Sequence, residues 1–134
     1  MGKIGVDTSL FIYLIEKDVA FLAKAEKILK EIESGKVEGV FSIIGLMELL
    51  VGPKKKGRKD IAIQYKKIIT EFANLKIAGI NENIVDLASD LRAKYSLRLP
   101  DCIHLATAID SGADKFITND KTLKKVKEIK IETL

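Results

Sequence analysis

The sequence holds one cysteine, one histidine, two prolines and no tryptophan. A single thiol, Cys102, excludes an internal disulfide, and a lone thiol fits a reducing cytoplasm. One histidine, His104, without Cys or His companions is a poor metal signature. Long hydrophobic runs are missing as well. The longest apolar stretches are too short to span a bilayer and are broken by charge, so no membrane role is expected. No basic segment followed by an apolar stretch and a small-residue cleavage site opens the chain, so no secretory leader is expected. Neither G-x-x-x-x-G-K-[ST] nor G-x-G-x-x-G occurs, and nucleotide folds of those kinds would lack their phosphate-cradling loops. There is no internal repeat and no low-complexity linker.

What is present reads as a single domain over 1–134, long enough for one core. Apolar residues make up 47% and charged residues 31%, a globular composition. The net charge of +4 permits nucleic-acid binding without demonstrating it. Short apolar runs alternate with longer helical patterns. Strands are expected over 4–6, 39–44, 76–80 and 115–118, with a fifth in "EIKIET" near the end. Helices are expected over 9–16 and, with Asp18 as N-cap, through Phe21, Leu22, Ala25, Ile28, Leu29 and Ile32 to Gly35 as C′ residue. A third starts at "GLMELL" and stops at Gly52-Pro53, and "PKKKGRK" then reads as a loop. Asp60 to Leu75 reads as a long amphipathic helix, Asn81 caps another that runs to about Tyr95, and Pro100 opens a last one that Gly112 ends.

Strands alternating with helices predict an α/β domain with a mostly parallel central sheet of about five strands and helices on both faces. Ligands in such folds bind outside the carboxyl ends of the strands, near the point where strand order switches. Asp7 directly follows the first strand and Asp120 follows the fourth, so both belong to that edge. Glu48 lies about a turn into the helix leaving the second strand, and Asp101 lies in the first turn of the helix opened by Pro100. Four acids distant in sequence are therefore expected at one crevice. Like charges that close need a cation to stay ionised, and carboxylates without His or Cys partners favour Mg²⁺ or Mn²⁺ over Zn²⁺. Each acid also has a plain structural role open to it. Asp7 could cap the first helix with Thr8 or Ser9, Asp101 could serve the helix dipole, Asp120 could be a turn residue, and Glu48 could be solvated.

Taken in order, "VDTSLFIYLI", Glu48 in "SIIGLMELL", "LPDCIHLATAI" and "FITND" resemble the PIN domain, in particular the small single-domain toxin ribonucleases of VapC type. The resemblance covers essentially the whole chain. It implies a three-layer α/β/α sandwich and a Mg²⁺- or Mn²⁺-dependent endoribonuclease that acts on single-stranded or looped RNA and leaves a 5′-phosphate and a 3′-hydroxyl. Asp7, Glu48, Asp101 and Asp120 match the family's acidic set one by one. Ser9, Thr118 and Asn119 match polar residues that aim the carboxylates. A cognate antitoxin and a homodimer are implied by the resemblance alone. Two rival readings stay open: an RNA-processing PIN nuclease without an antitoxin, and a PIN-like module that binds RNA or protein without cutting.

Of the remaining residues, Lys54, Lys55, Lys56 and Arg58 in the basic loop could grip RNA phosphates or merely solvate it. Arg98 and Lys121, close to Asp101 and Asp120, could steer phosphate or pair with those acids. The five phenylalanines fall at apolar periodic positions and read as core rather than base-stacking platforms. His104, three residues after Asp101, reads foremost as a packed or hydrogen-bonded helix residue, with a ligand or acid–base role as the alternative. Cys102 reads as a small buried residue.

Overall fold

The computed structural model describes residues 2–16 and 19–134, so the cap expected at Asp18 lies outside the described residues. Five short strands pair into one sheet: β1 (Gly2–Val6), β2 (Val37–Ser42), β3 (Leu75–Ala78), β4 (Lys115–Thr118) and β5 (Lys130–Thr133). The order is β3-β2-β1-β4-β5, and every pairing is parallel. The first three strands step outward in one direction, after which the chain returns to lay β4 on the free side of β1. Strand order therefore switches between β1 and β4, and the ligand crevice of such a sheet is expected beyond their carboxyl ends.

The strands alternate in what they face. Ile4, Val6, Phe41 and Ile117 join one core with α1 (Thr8–Glu16), α2 (Val19–Glu33) and α3 (Ile43–Lys55). Phe116, one residue from Ile117, joins the other core with α5 (Glu82–Tyr95) and α6 (Leu99–Asp110). Two cores on opposite faces of one sheet make the three layers. At Gly5 a side chain would have its Cβ 2.5 Å from the Ala108 Cβ, so α6 lies flush on β1 only because that position is glycine. Phe11 packs at 4.9 Å from Phe41 and 6.1 Å from Phe72, ring centre to ring centre, and Phe11, Phe41 and Phe116 are buried. Among the described residues no helix is long and apolar enough to cross a membrane.

Several element ends differ from expectation, each for a specific physical reason. Ile43 and Ile44, expected in the second strand, open α3. The Ser42 side chain accepts the Ile44 N–H at 3.3 Å, and this cap outweighs the small helical cost of two β-branched residues. Pro53 does not stop α3, which continues to Lys55. Its own carbonyl accepts from the N–H groups of Lys56 and Arg58, and Gly57 at φ +70° turns the chain. Lys54 and Lys55 are thus helical, not part of a loop, and α4 starts at Lys59 (Lys59–Thr70). That helix ends five residues before Leu75. Leu75 is instead claimed by β3, in register with Gly39, after Asn74 turns at φ +62° and donates its side-chain amide to the Glu33 carbonyl. Pro100 is the second residue of α6, not the first, another place where a missing N–H costs nothing. Asn81 caps α5 as expected, its Oδ1 accepting the Ile84 N–H at 2.9 Å. Gly35 and Gly112, both at positive φ, close α2 and α6. In each case the glycine N–H and the next N–H return to the last helical carbonyls.

Candidate active site

A crevice of about 580 Å³ opens at the switch point, and Asp7, Glu48, Asp101 and Asp120 all line it. They come from four elements: the end of β1, the second turn of α3, the start of α6 and the exit of β4. Among the described residues Arg98 is the one arginine or lysine on its walls, so the crevice carries an excess of negative charge.

Asp7 leaves β1 with its N–H bonded to the Ile117 carbonyl, which ties the crevice floor to β4. Its Oδ1 accepts from the Ser9 N–H at 2.9 Å and from the Ser9 hydroxyl, and its Oδ2 accepts from the Thr118 hydroxyl. Burial pushes the Asp7 carboxyl above its usual range, and the Ser9 and Thr118 hydrogen bonds offset this only in part. A buried carboxylate that favours its proton is one a cation would stabilise in its charged form.

Glu48 is held from two sides. Its Oε1 accepts from the Thr8 hydroxyl at 2.9 Å and lies 2.7 Å from His104 Nε2. Burial works against its charge, but the hydrogen bonds from His104 and Thr8 outweigh that, and the carboxyl sits below its usual range. Asp101 is gripped by Arg98, whose Nε lies 3.1 Å and Nη2 3.4 Å from its two oxygens. The Arg98 side chain is 76% exposed, so this pair is weak and open to exchange. Asp120 caps the 3₁₀ turn Lys121–Lys125 through Oδ1, which accepts the Thr122 N–H at 2.9 Å and hydroxyl at 2.6 Å. The structural role weighed for Asp120 is therefore real, and the residue faces the crevice as well.

Of the polar residues singled out in the sequence, Ser9 and Thr118 grip Asp7, whereas Asn119 donates to the Tyr13 hydroxyl. Lys121 is exposed and is not among the residues lining the crevice. A second cavity of about 290 Å³ adjoins the first through Ile12 and Glu48, and Lys56 and Arg58 stand on its wall. Arg58 there is engaged by Asp60 at 2.9 Å. Lys54 lines other hollows, with Leu50 and Lys66, away from the acids. Thr8 and His104 are the residues that sequence reasoning undervalued. The three-residue spacing from Asp101 put His104 near the edge, but its partner on α3 lies 56 positions away.

Among the described residues, no three His, Cys, Asp or Glu side chains stand close enough together to hold a metal ion as they are. The donor set nonetheless suits a hard divalent cation: oxygen ligands only, an excess of negative charge, and one carboxylate carrying a burial cost.

An all-parallel sheet ordered β3-β2-β1-β4-β5, with acids at its switch point, defines an α/β protein of the acidic-site kind. The chain matches the PIN domain family over residues 4–129 and belongs to that family. No curated protein matches it. Among solved structures it is similar to DNA-bound VapBC from Salmonella typhimurium (19% identity, TM-score 0.75, 99% of this chain and 98% of that one). It is also similar to a toxin–antitoxin complex from Klebsiella pneumoniae (24%, TM-score 0.69, 96% and 95%). A third is VapC20 of Mycobacterium tuberculosis, a sarcin–ricin loop cleaving toxin (14%, TM-score 0.71, 95% and 98%).

Proposed function

We propose that this chain is a Mg²⁺- or Mn²⁺-dependent endoribonuclease, the toxin of a toxin–antitoxin pair acting in the cytoplasm. The observation that carries the reading is the convergence of Asp7, Glu48, Asp101 and Asp120 on one crevice of a PIN domain. The similar solved structures include toxin–antitoxin complexes and a sarcin–ricin loop cleaving toxin, which supports an antitoxin partner and an RNA substrate here. Ile43, Met47 and Val51, spaced four apart along α3, are exposed, and this stripe supports a homodimer.

Asp7, Asp101, Asp120 and Glu48 would hold the cation. When bound, it supplies charge that lowers the pKa of a water and offsets that of the scissile phosphate. Ser9 and Thr118 keep both Asp7 oxygens in one orientation. Arg98, released from Asp101, would be free to meet a phosphate. Lys56 and Arg58, beside Glu48, would track the RNA backbone as it leaves the crevice.

The test is cleavage of a mixed RNA pool by the purified protein with Mg²⁺ or Mn²⁺, with EDTA, and beside Asp7→Asn. The reading requires metal-dependent cutting that the variant loses. Cutting that persists in the variant refutes the role of Asp7. RNA binding without cutting in any metal favours the non-cutting module.

A further inference from the structure

We propose that His104, with Thr8, is the positioning residue of Glu48. Two donors take up one carboxylate oxygen and leave the other as the single oxygen Glu48 offers to a divalent cation. The inference rests on the metal-site reading above and assigns a residue outside its acidic set.

The carboxylate can only accept, so the hydrogen between the two groups sits on His104 Nε2. The Thr8 hydroxyl spends its single hydrogen on the same Glu48 oxygen. Oε2 has no hydrogen-bond partner among the described residues. The imidazole itself is held on several sides. The Phe41 ring lies at 6.0 Å, tilted by 23°, and α3 runs so close at Gly45 that a Cβ there would be 2.9 Å from His104 Cε1. The ring is 4% exposed, and its Nδ1 is the one buried side-chain nitrogen or oxygen without a partner among the described residues.

A packing role does not account for this. Ile103, Leu105 and Ala106 beside it on α6 are buried and apolar, and a leucine at 104 would fill a similar space without an orphaned polar atom. A buried unpaired group is costly. What the histidine adds is a grip that joins α6 to the acid on α3, with Thr8 of α1 as the third point. Partners of this kind commonly change metal affinity by about 10–100-fold when removed.

The experiment is Mn²⁺ binding to the full chain by calorimetry in the absence of RNA, with thermal melts of each metal-free variant. His104→Leu is expected to weaken Mn²⁺ binding by about 10–100-fold while still melting cooperatively. His104→Gln, whose amide can donate from the same side, recovers most of the affinity. Thr8→Val, nearly isosteric, loses part of it and carries the test if the leucine variant fails to fold. Parent-like Mn²⁺ affinity in His104→Leu, or in Thr8→Val if only that variant folds, overturns the inference. So does equal weakening in the leucine and glutamine variants, since ring shape and not donation would then matter. A wild-type chain that binds Mn²⁺ and cuts RNA while His104→Leu matches it overturns this inference alone. A wild-type chain that binds no Mn²⁺ overturns it together with the metal-site reading.

Discussion

Helix α3 carries two glycines in opposite surroundings, and replacing each by alanine tests how tightly the site is built. At Gly45 the new methyl would lie 2.2 Å from Phe41 Cζ, 2.4 Å from Phe41 Cε1 and 2.9 Å from His104 Cε1, whereas ordinary contact begins at 3.4 Å. Phe41 cannot swing away, because its ring is fully buried against Phe11 at 4.9 Å. Overpacking of this kind costs about 1–3 kcal/mol. Alanine gains up to about 1 kcal/mol over glycine inside a helix, and less in the first turn, where Gly45 sits. The net expectation is a loss of about 1–2 kcal/mol, with α3 pushed off the sheet. Gly52 lies in the same helix with nothing within 4 Å of its would-be Cβ. The gain of about 0.5–1 kcal/mol that alanine brings over glycine in a helix is opposed there by Pro53, whose ring crowds a Cβ on the residue before it, so Gly52→Ala should leave stability near the parent's. Urea unfolding of both variants reads this directly, as a midpoint that falls in Gly45→Ala and stays close to the parent's in Gly52→Ala, at constant m. Gly45→Ala should also lower RNA cleavage beyond what its unfolded fraction explains, because Glu48 lies one turn further along. If Gly45→Ala is as stable as the parent and cuts at the parent's rate, the close packing of α3 on Phe41 and His104 is wrong.

Asp7→Asn should abolish cleavage and, in EDTA at neutral pH, stabilise the fold, because it removes the burial cost of the carboxylate charge. Because the Asp7 carboxyl is raised above its ordinary 3.8 in the fold, the native state holds a proton that the unfolded chain has already released. Stability therefore falls as pH rises from the ordinary carboxyl value through the raised one. Melts in EDTA against pH should flatten in the variant, and unchanged curves would remove Asp7's burial cost from the account. For RNA, Lys56→Gln with Arg58→Gln should reduce the slope of log affinity against log salt by about 0.7 per lost phosphate contact, measured on the non-cutting Asp7→Asn background. Lys54→Gln with Lys55→Gln should leave it nearly unchanged, and equal slopes for the two pairs would refute the division of that basic stretch.

Where local chemistry decides, the chain could be read directly. "KFIT" is a strand from end to end, Asn81 caps its helix, and Gly35 and Gly112 close theirs, because each signal is satisfied by groups a few residues away. Two failed readings, Ile43–Ile44 as strand and Pro53 as a stop, turn on neighbours whose effect outweighs a stronger-looking signal, and the end of the 60–75 helix is overruled by a partner distant in sequence. Nothing in the helical period of 60–75 announces that Leu75 will be claimed by Gly39. The same division runs through the site. That Asp7 and Asp120 share an edge follows from a parallel sheet whose strands end just before them. That Glu48 is bound by Thr8 and His104 depends on how α1, α3 and α6 sit on that sheet, and therefore on Gly5 and Gly45, where the absence of a side chain sets the helix positions. A glycine in a sequence is mute about which backbone or ring it admits. The carboxylates could be found by rule, while the residues that aim one of them emerge only once those two close approaches are known.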